Sequence, residues 1–351
     1  MKRISSIILV LMLLLTMLTG CGGGTPEPAA PPEETPQETE TPQEVEAPPM
    51  ETITLRIGHS TNEESDWHKG LEVFKSDLEE RTNGQIIVEI YPNETLGSEL
   101  DVVTQVQQGT AEGIISGESL DGWVPEAAAI ALPYAVTSFE GLIAMAESPE
   151  IGGVIEQEII DKVKIRPIGY FIRSARNLTA DRRIESIEDL NGFKVRVPNN
   201  ELSLRLWNGF GATATPLAAG EIFSGLQTGL INGQENPHAN NIARSLWEVQ
   251  DYLILTEHVF GWIYVNVGED FFQSLTPELQ NAVLESGRVM SEFQHQYIYD
   301  EVDAQEAMLR ERMEFVEIDK GPFIEIAQEV LRDVLEPQVY ELYEKALALE
   351  Y

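Results

Sequence analysis

The sequence predicts an α/β fold, parallel sheets covered by helices, in a chain long enough for two domains. Three observations point there. Segments that alternate apolar and polar residues take turns with segments whose apolar residues recur every three or four positions, the order expected of strands joined by crossover helices. The 351 residues suffice for two domains of roughly 100 to 200 residues, and 42% hydrophobic residues supply a core. Late in the chain, breakers are scarce from Leu279 to Glu314, so one helix of about 35 residues, or two in succession, is expected; a single one would be long enough to pack across two domains.

Taken in order, the chain starts Met1-Lys2-Arg3, is almost wholly apolar from Ile4 to Leu18 and then reads Leu18-Thr19-Gly20-Cys21. This is the plan of an export signal over residues 1–20, and Ile7 to Leu18 is shorter than the roughly 20 residues that span a bilayer. Its last four residues resemble the bacterial lipoprotein box, which implies cleavage before Cys21 and lipid attachment to it. Cys21 is the only cysteine, so an intrachain disulfide and a cysteine-based zinc or iron–sulfur site are excluded. Residues 22–50 hold eight of the 19 prolines, seven glutamates and no Lys or Arg. Such a composition buries no core and reads as an extended tether, reaching on the order of 90 Å at ~3.1 Å per residue.

From Thr52 to Gly58 apolar and polar residues alternate as in a strand. Ser65 or Asp66 then caps a helix with Trp67, Leu71, Phe74 and Leu78 on one face, ending near Asn83-Gly84. Ile86 to Tyr91 reads as a strand, 98–108 as a helix with Val102, Val103 and Val106 inward, and Gly113 to Ser116 as a short strand. Further strands are expected at Arg166 to Ile172, Phe193 to Val197 and Val259 to Val267, with helices at 139–147, 150–163, 201–209, 220–228 and 239–247. Thr276-Pro277 opens the long helix with a capping residue and a proline at its first position. Phe323 to Leu349 is a last helical stretch, bent near Pro337.

Charge narrows the function. Against 23 Lys+Arg stand 59 Asp+Glu, a formal charge of −36, which repels phosphate backbones and anionic membrane surfaces. Loss of Lys2 and Arg3 with the signal moves it to −38, and setting aside the seven tether glutamates leaves −31 on the globular part. Signs of catalysis are weak. Gly209-Phe210-Gly211-Ala212-Thr213-Ala214 has a dinucleotide-like glycine pattern but follows a helix and runs into Pro216. None of His59, His68, His238, His258 and His295 lies in a His-Glu-x-x-His arrangement, and neither a Gly-x-Ser-x-Gly elbow nor a phosphate loop occurs.

Positive charge is concentrated instead. No Lys or Arg occurs over 82–161, and nine follow between Lys162 and Arg196. Most of these read as a solvated face beside Glu185, Glu188 and Asp189. Arg173, Arg176 and Arg196 sit in or beside expected strands, where a buried guanidinium needs an anionic partner, either a protein carboxylate or a ligand carboxylate. Arginine suits a carboxylate because it offers two parallel donors. Two loops at strand ends also stand where open α/β sheets carry ligand contacts: Tyr91-Pro92-Asn93-Glu94-Thr95-Leu96-Gly97 and Gly233-Gln234-Glu235-Asn236-Pro237.

These segments, with Leu55-Arg56-Ile57-Gly58-His59, Leu132-Pro133-Tyr134, Arg176-Asn177-Leu178-Thr179, Ile187-Glu188-Asp189-Leu190-Asn191-Gly192-Phe193-Lys194-Val195-Arg196-Val197-Pro198 and Leu226-Gln227-Thr228-Gly229, resemble the solute-binding proteins of tripartite ATP-independent periplasmic (TRAP) transporters. The resemblance covers residues 52–351 in order. It implies a two-domain periplasmic-binding-protein fold of type II-like form with a hinge, the long helix packing across both lobes: residues 51–173 with about 262–301 as lobe I, and 174–261 with about 302–351 as lobe II. It implies that Arg196 grips a ligand carboxylate, that Arg176 assists, that Asn236 orients the same region, and that Ser60 and Glu99 contact the rest of the ligand. Ala219 stands where relatives often carry an aromatic residue, which implies a roomier or differently shaped pocket; the glutamate contact of the family aligns with either Gly117 or Glu118. A C4-dicarboxylate, a sugar acid or a similar organic acid is the implied solute, and a sodium-driven permease of two membrane subunits the implied partner. Neither a metal nor a cofactor is expected, since the sodium-assisted site of α-keto-acid-binding members has another sequence around Gly233 to Pro237. The receptor is expected to be an exported monomer that performs no chemistry, held by its lipid on the periplasmic or extracellular face of a bacterial membrane. The competing readings are a solute-binding lipoprotein of another importer or of a sensor kinase, and an exported α/β enzyme.

Overall fold

Ile53–Gly58 (β1) pairs in parallel with Ile86–Tyr91 (β2), from Ile53 opposite Ile86 to Gly58 opposite Tyr91, and its other edge takes up Gly113–Ser116 (β3), also parallel. The computed structural model describes residues 52–350, so the signal, Cys21 and tether expected over 1–50 lie outside the described residues. The crossovers are Asp66–Arg81 (α1) and Glu99–Gln107 (α2). Ser65, rather than Asp66, caps α1: its Oγ accepts from the His68 N–H at 3.2 Å, and Ser98 does the same for α2. The apolar face of α1 buries Trp67, Leu71, Phe74 and Leu78, as its spacing predicts. Two short 3-10 turns, Glu118–Gly122 and Pro125–Ala131, precede Phe139–Glu147 (α3) and Gly152–Glu158 (α4).

Two strands extend beyond their expected limits. Ile165–Ala180 (β4) has 16 residues and, after Lys194–Val197 (β5), Glu201–Gly209 (α5), Thr213–Pro216 (β6), Ile222–Gln227 (α6), Gly233–Asn236 (β7) and His238–Ala243 (α7), Tyr252–Gly268 (β8) has 17. They pair antiparallel along their length, but the register shifts on both sides of Arg176, and Glu257 of β8 has a left-handed φ of 41°. These bulges interrupt the two-residue period that betrays a strand, so sequence reading saw only one half of each. The order across the sheet is β2-β1-β3-β8-β4-β7-β5-β6. Each flank is parallel, as the alternation of elements predicts, whereas the pair that joins them is antiparallel to its neighbours β3 and β7. The first half is therefore built on β1–β3 and the second on β5–β7, with β4 and β8 running through both.

After Glu269–Ser274 (α8), Pro277–Arg310 (α9) is one unbroken helix of 34 residues. Leu279, Val283 and Met290 pack into the core of the first half with Leu71 and Phe74, while Leu309 packs with Leu253 at the far end of β8. The long helix thus spans both halves. It lies close against β4 because glycines meet: a Cβ on Gly287 would be 1.8 Å from the Ile168 carbonyl oxygen, and one on Gly169 would be 2.7 Å from the Gly287 carbonyl oxygen. Gln294 of α9 then completes the β4 edge, accepting from the Ile172 N–H and donating to its carbonyl, both at 3.0 Å. Glu314–Val316 (β9) joins β8 in parallel, and the final stretch is two helices, Gly321–Val334 (α10) and Pro337–Leu347 (α11), broken where Pro337 takes the first position of α11. Phe323 and Ala327 of α10 belong to the second-half core with Trp207 and Phe210, whereas Val339 and Leu342 of α11 return to the first, beside Ala127 and Ile130. Strands β6 and β9, four and three residues long, carry too little periodicity to be read from sequence.

Candidate functional site

The three strand arginines are all buried, at 6% (Arg173), 5% (Arg176) and 4% (Arg196) exposure. Their partners differ. Arg173 donates from both terminal nitrogens to Glu118, at 3.1 and 2.9 Å. Arg176 holds both carboxylate oxygens of Glu235, from Nε at 2.5 Å and Nη2 at 2.8 Å, and its Nη1 lies 4.0 Å from Glu118. The β8 bulge sets His258 against the same carboxylate, 3.0 Å away, with Thr256 Oγ1 on its other ring nitrogen. Burial alone would raise Glu235, but the Arg176 charge and the hydrogen bonds from His258 and Arg176 outweigh it and hold the carboxyl at about 2. Burial pushes His258 the other way, below its ordinary value, so it serves Glu235 as a neutral donor.

Arg196 is the exception. Its Nε and Nη2 donate to the Leu217 carbonyl, at 2.9 and 2.6 Å, and among the described residues no carboxylate oxygen lies within 4.0 Å of it. Burial depresses it to about 9, with the Arg176 and Arg244 charges adding to the effect and Glu235 and Glu99 opposing it. A carbonyl neutralises no charge, so the guanidinium is held in place and left short of an anion. Arg196 shares a narrow cavity with Glu99, Ser98, Ser119, Asn199 and Ala219. Here Arg196, from β5 in the second half, faces Glu99, from the start of α2 in the first. Glu99 accepts from Ser116 Oγ at 2.8 Å; burial and the neighbouring Glu118 charge lift its carboxyl to about 7.

Ser60 lies after β1, where its carbonyl and Oγ accept from Arg244 Nη2 at 2.9 and 3.1 Å. Asn236, at the end of β7, is 5% exposed and turns its amide into a buried network: its Nδ2 donates to Gln234 Oε1 at 2.5 Å, and Gln234 donates in turn to Thr179 and Asn241. Arg196 and Glu99 are thus brought together, Arg176 stands beside them already paired, Ser60 is on the Arg244 side, and Asn236 is tied to Gln234. Glu118, left open against Gly117 in the alignment, is the partner of Arg173. Of the other cations in the cluster, Arg183 pairs with Glu185 and Glu314 at the surface, Lys162 with Glu158, and Arg166 with Glu269.

Sequence reading missed Arg244. It caps the C-terminal end of α7, reaches across to Ser60 in the first half, and its Nη1 is buried without a hydrogen-bond partner. No carboxylate among the described residues lies within 4.0 Å of it; burial lowers it to about 10, against the nearby Glu94. Its one sequence signal is a place eight residues after Asn236, outside the cluster that drew notice. The charges can then be counted. Arg173, Arg176, Arg196 and Arg244 face Glu118, Glu235 and Glu94, so while Glu99 holds its proton the site lacks one negative charge. A second cavity of about 720 Å³, between the 62–69 segment, α7 and α9, is lined by Glu63, Glu64, Asp66 and Glu301 with Lys69 as its one cation, which suits no acid.

The model of bacterial extracellular solute-binding protein, family 7, matches residues 57–343. A solute-binding protein of Roseobacter denitrificans is 42% identical over 286 residues, 81% of this chain and 88% of that one. The sialic acid-binding periplasmic protein SiaP of Vibrio cholerae is 31% identical over 224 residues, 64% of this chain and 70% of that one. Among solved structures, a TRAP periplasmic solute-binding protein from Roseobacter denitrificans with bound L-galactonate superposes with a TM-score of 0.83 at 39% identity, over 85% of this chain and 99% of that one. Another, from Xanthobacter autotrophicus with bound β-D-galacturonate, gives 0.80 at 26% identity, over 84% and 100%.

Proposed function

The chain belongs to bacterial extracellular solute-binding protein family 7, the solute receptors of TRAP transporters, and from that premise we propose that it captures a single-carboxylate sugar acid between its two halves, with Arg196 as the principal anchor. It is an extracytoplasmic receptor for a carboxylate-bearing small molecule, and receptors of this family work with membrane permease subunits. No helix among the described residues is long and apolar enough to cross a membrane.

The observation that carries the proposal is a buried strand Arg196 with only a carbonyl for company, where the other two strand arginines, Arg173 and Arg176, are matched by Glu118 and Glu235. A ligand carboxylate supplies the missing charge, and enclosure strengthens the pairing by excluding water. Glu99 and Ser60 contribute from the first half, Arg176 through its field and Asn236 from the end of β7. The sugar-acid class is supported by the ligands of the Roseobacter and Xanthobacter structures and, while Glu99 holds its proton, by a site short of one charge rather than two. The lobes are residues 51–173 with about 262–301, and 174–261 with about 302–351, hinged where β4 and β8 bulge; α11 reaches back to the first. The closed receptor delivers its acid, unchanged, to a two-subunit permease, and a lipid on Cys21 keeps it at the membrane, so Cys21→Ser releases it.

Calorimetry against mono- and dicarboxylates, aldonates, uronates and neutral sugars tests the proposal. Binding of at least one aldonate or uronate, and no response to neutral sugars, is expected; a response to dicarboxylates alone or to neutral sugars alone overturns it.

A further inference from the structure

Two contacts latch the halves together beside the Arg196 cavity, and each uses only half of a charged group. Glu94, in the loop after β2, accepts from the Gly220 N–H of the second half through Oε2 at 3.1 Å; its Oε1 is buried and has no hydrogen-bond partner. Arg244, of the second half, donates to Ser60 of the first through Nη2; its Nη1 is buried and likewise unpartnered. Gly220 adjoins Ala219, which lines the cavity with Arg196 and Glu99, and both charged groups are within reach of the Arg196 guanidinium's field: the Arg196 charge acts on Glu94 and the Arg244 charge acts on Arg196. Glu94 and Arg244 act on each other's charge, yet they are not an ion pair within 4.0 Å. An orphaned buried acceptor and an orphaned buried donor each cost free energy until a partner arrives. A hydroxyl satisfies both kinds, since it donates to a carboxylate and accepts from a guanidinium. A second carboxylate would satisfy Arg244 but meet Glu94.

We propose that Glu94 Oε1 and Arg244 Nη1 form a hydroxyl-reading pair that selects acids with a polyhydroxylated chain over plain hydroxy acids and dicarboxylates. This rests on the receptor reading above and deepens it. Arg196 holds the carboxylate, and the Glu94–Arg244 pair decides what else the molecule must carry. A site built to hydrogen-bond a hydroxyl rejects the analogue that lacks it, because its buried polar groups are then left unpaired.

The test is the ratio of two affinities, measured by calorimetry and competition on the purified receptor. The numerator is the tightest binder among L-galactonate, D-gluconate and D-galacturonate; the denominator is 2-hydroxyhexanoate, which keeps the carboxylate end. The wild type is expected to prefer the polyhydroxylated acid at least about tenfold. Glu94→Gln and Arg244→Met should each cut that ratio about tenfold, although the first deepens the site's shortage of negative charge and the second removes it, so that 2-hydroxyhexanoate binds more tightly to the first variant and more weakly to the second. Gly220→Ala should act like Glu94→Gln, because its Cβ would lie 2.3 Å from Glu94 Oε2 and push the carboxylate away. Equal losses for both acids would mean that the pair only latches the lobes, and an unchanged ratio would mean that it touches no ligand; either overturns the inference. Binding of a plain dicarboxylate in preference to all three sugar acids overturns it too, along with the sugar-acid part of the proposed function, and leaves standing a carboxylate receptor anchored at Arg196. Binding of no acid at all defeats the receptor reading itself.

Discussion

Arg176 and Arg196 stand on strands separated only by β7, the Arg176 charge helps to depress Arg196, and only Arg176 has a carboxylate partner, Glu235. On the proposed function, that asymmetry sets which arginine a ligand meets. A fully paired guanidinium steers an anion through its field, whereas Arg196 gains a partner it lacks.

Arg196→Ala should lower acid affinity by about 2–5 kcal/mol, roughly 30-fold or more, since it removes one side of a buried charge pair. Arg183→Ala, at a surface pair with Glu185, should change affinity less than about twofold. Calorimetry on both variants decides; equal effects would show a general field in place of an anchor.

Binding should weaken as pH rises through about 7. Glu99 has its carboxyl lifted to about 7, chiefly by burial, and it faces the Arg196 cavity, the proposed seat of the carboxylate. An incoming anion favours the protonated form, so binding takes up a proton above that pH, and affinity falls by up to about tenfold per unit. Glu99→Gln should flatten the profile, and titrations in buffers of different ionisation enthalpy should show the proton uptake.

Glu235→Gln should destabilise the fold by about 3–5 kcal/mol, because Arg176 is left buried without a counter-charge. The sign with pH follows from a carboxyl held near 2 against an ordinary value of 4.5. Its stabilisation is complete above about 4.5 and is lost as pH falls towards 2. Urea midpoints at pH 7 and pH 3 should therefore converge more between wild type and variant at the lower pH.

Gly287→Ala should cost about 3 kcal/mol, since the new methyl would sit on the Ile168 carbonyl, a backbone atom that cannot turn aside. A lowered urea midpoint with unchanged slope is the expected readout. Ligand affinity should move little, because the contact between α9 and β4 lies away from Arg196.

Much of the fold was legible because its signals are local. The alternation in Thr52 to Gly58, the cap before α1, Thr276-Pro277 and the breaker-free run after it each depend on neighbours a few residues apart. Arg196 was legible too, as a cation inside an apolar strand that would need an anion. What local reading failed to find was interrupted or remote: β4 and β8 lose their period at their bulges, and Arg244 stands alone in sequence.

The sequence by itself determined most of the elements, their order and the burial of Arg173, Arg176 and Arg196. Only the tertiary structure decided which of those arginines would be free. Glu118 lies 55 residues from Arg173 and Glu235 lies 59 from Arg176, and no periodicity encodes a pairing at that distance. The sheet brings each carboxylate to its guanidinium and brings none to Arg196, because Coulomb's law acts on proximity in space, which the order of residues does not specify.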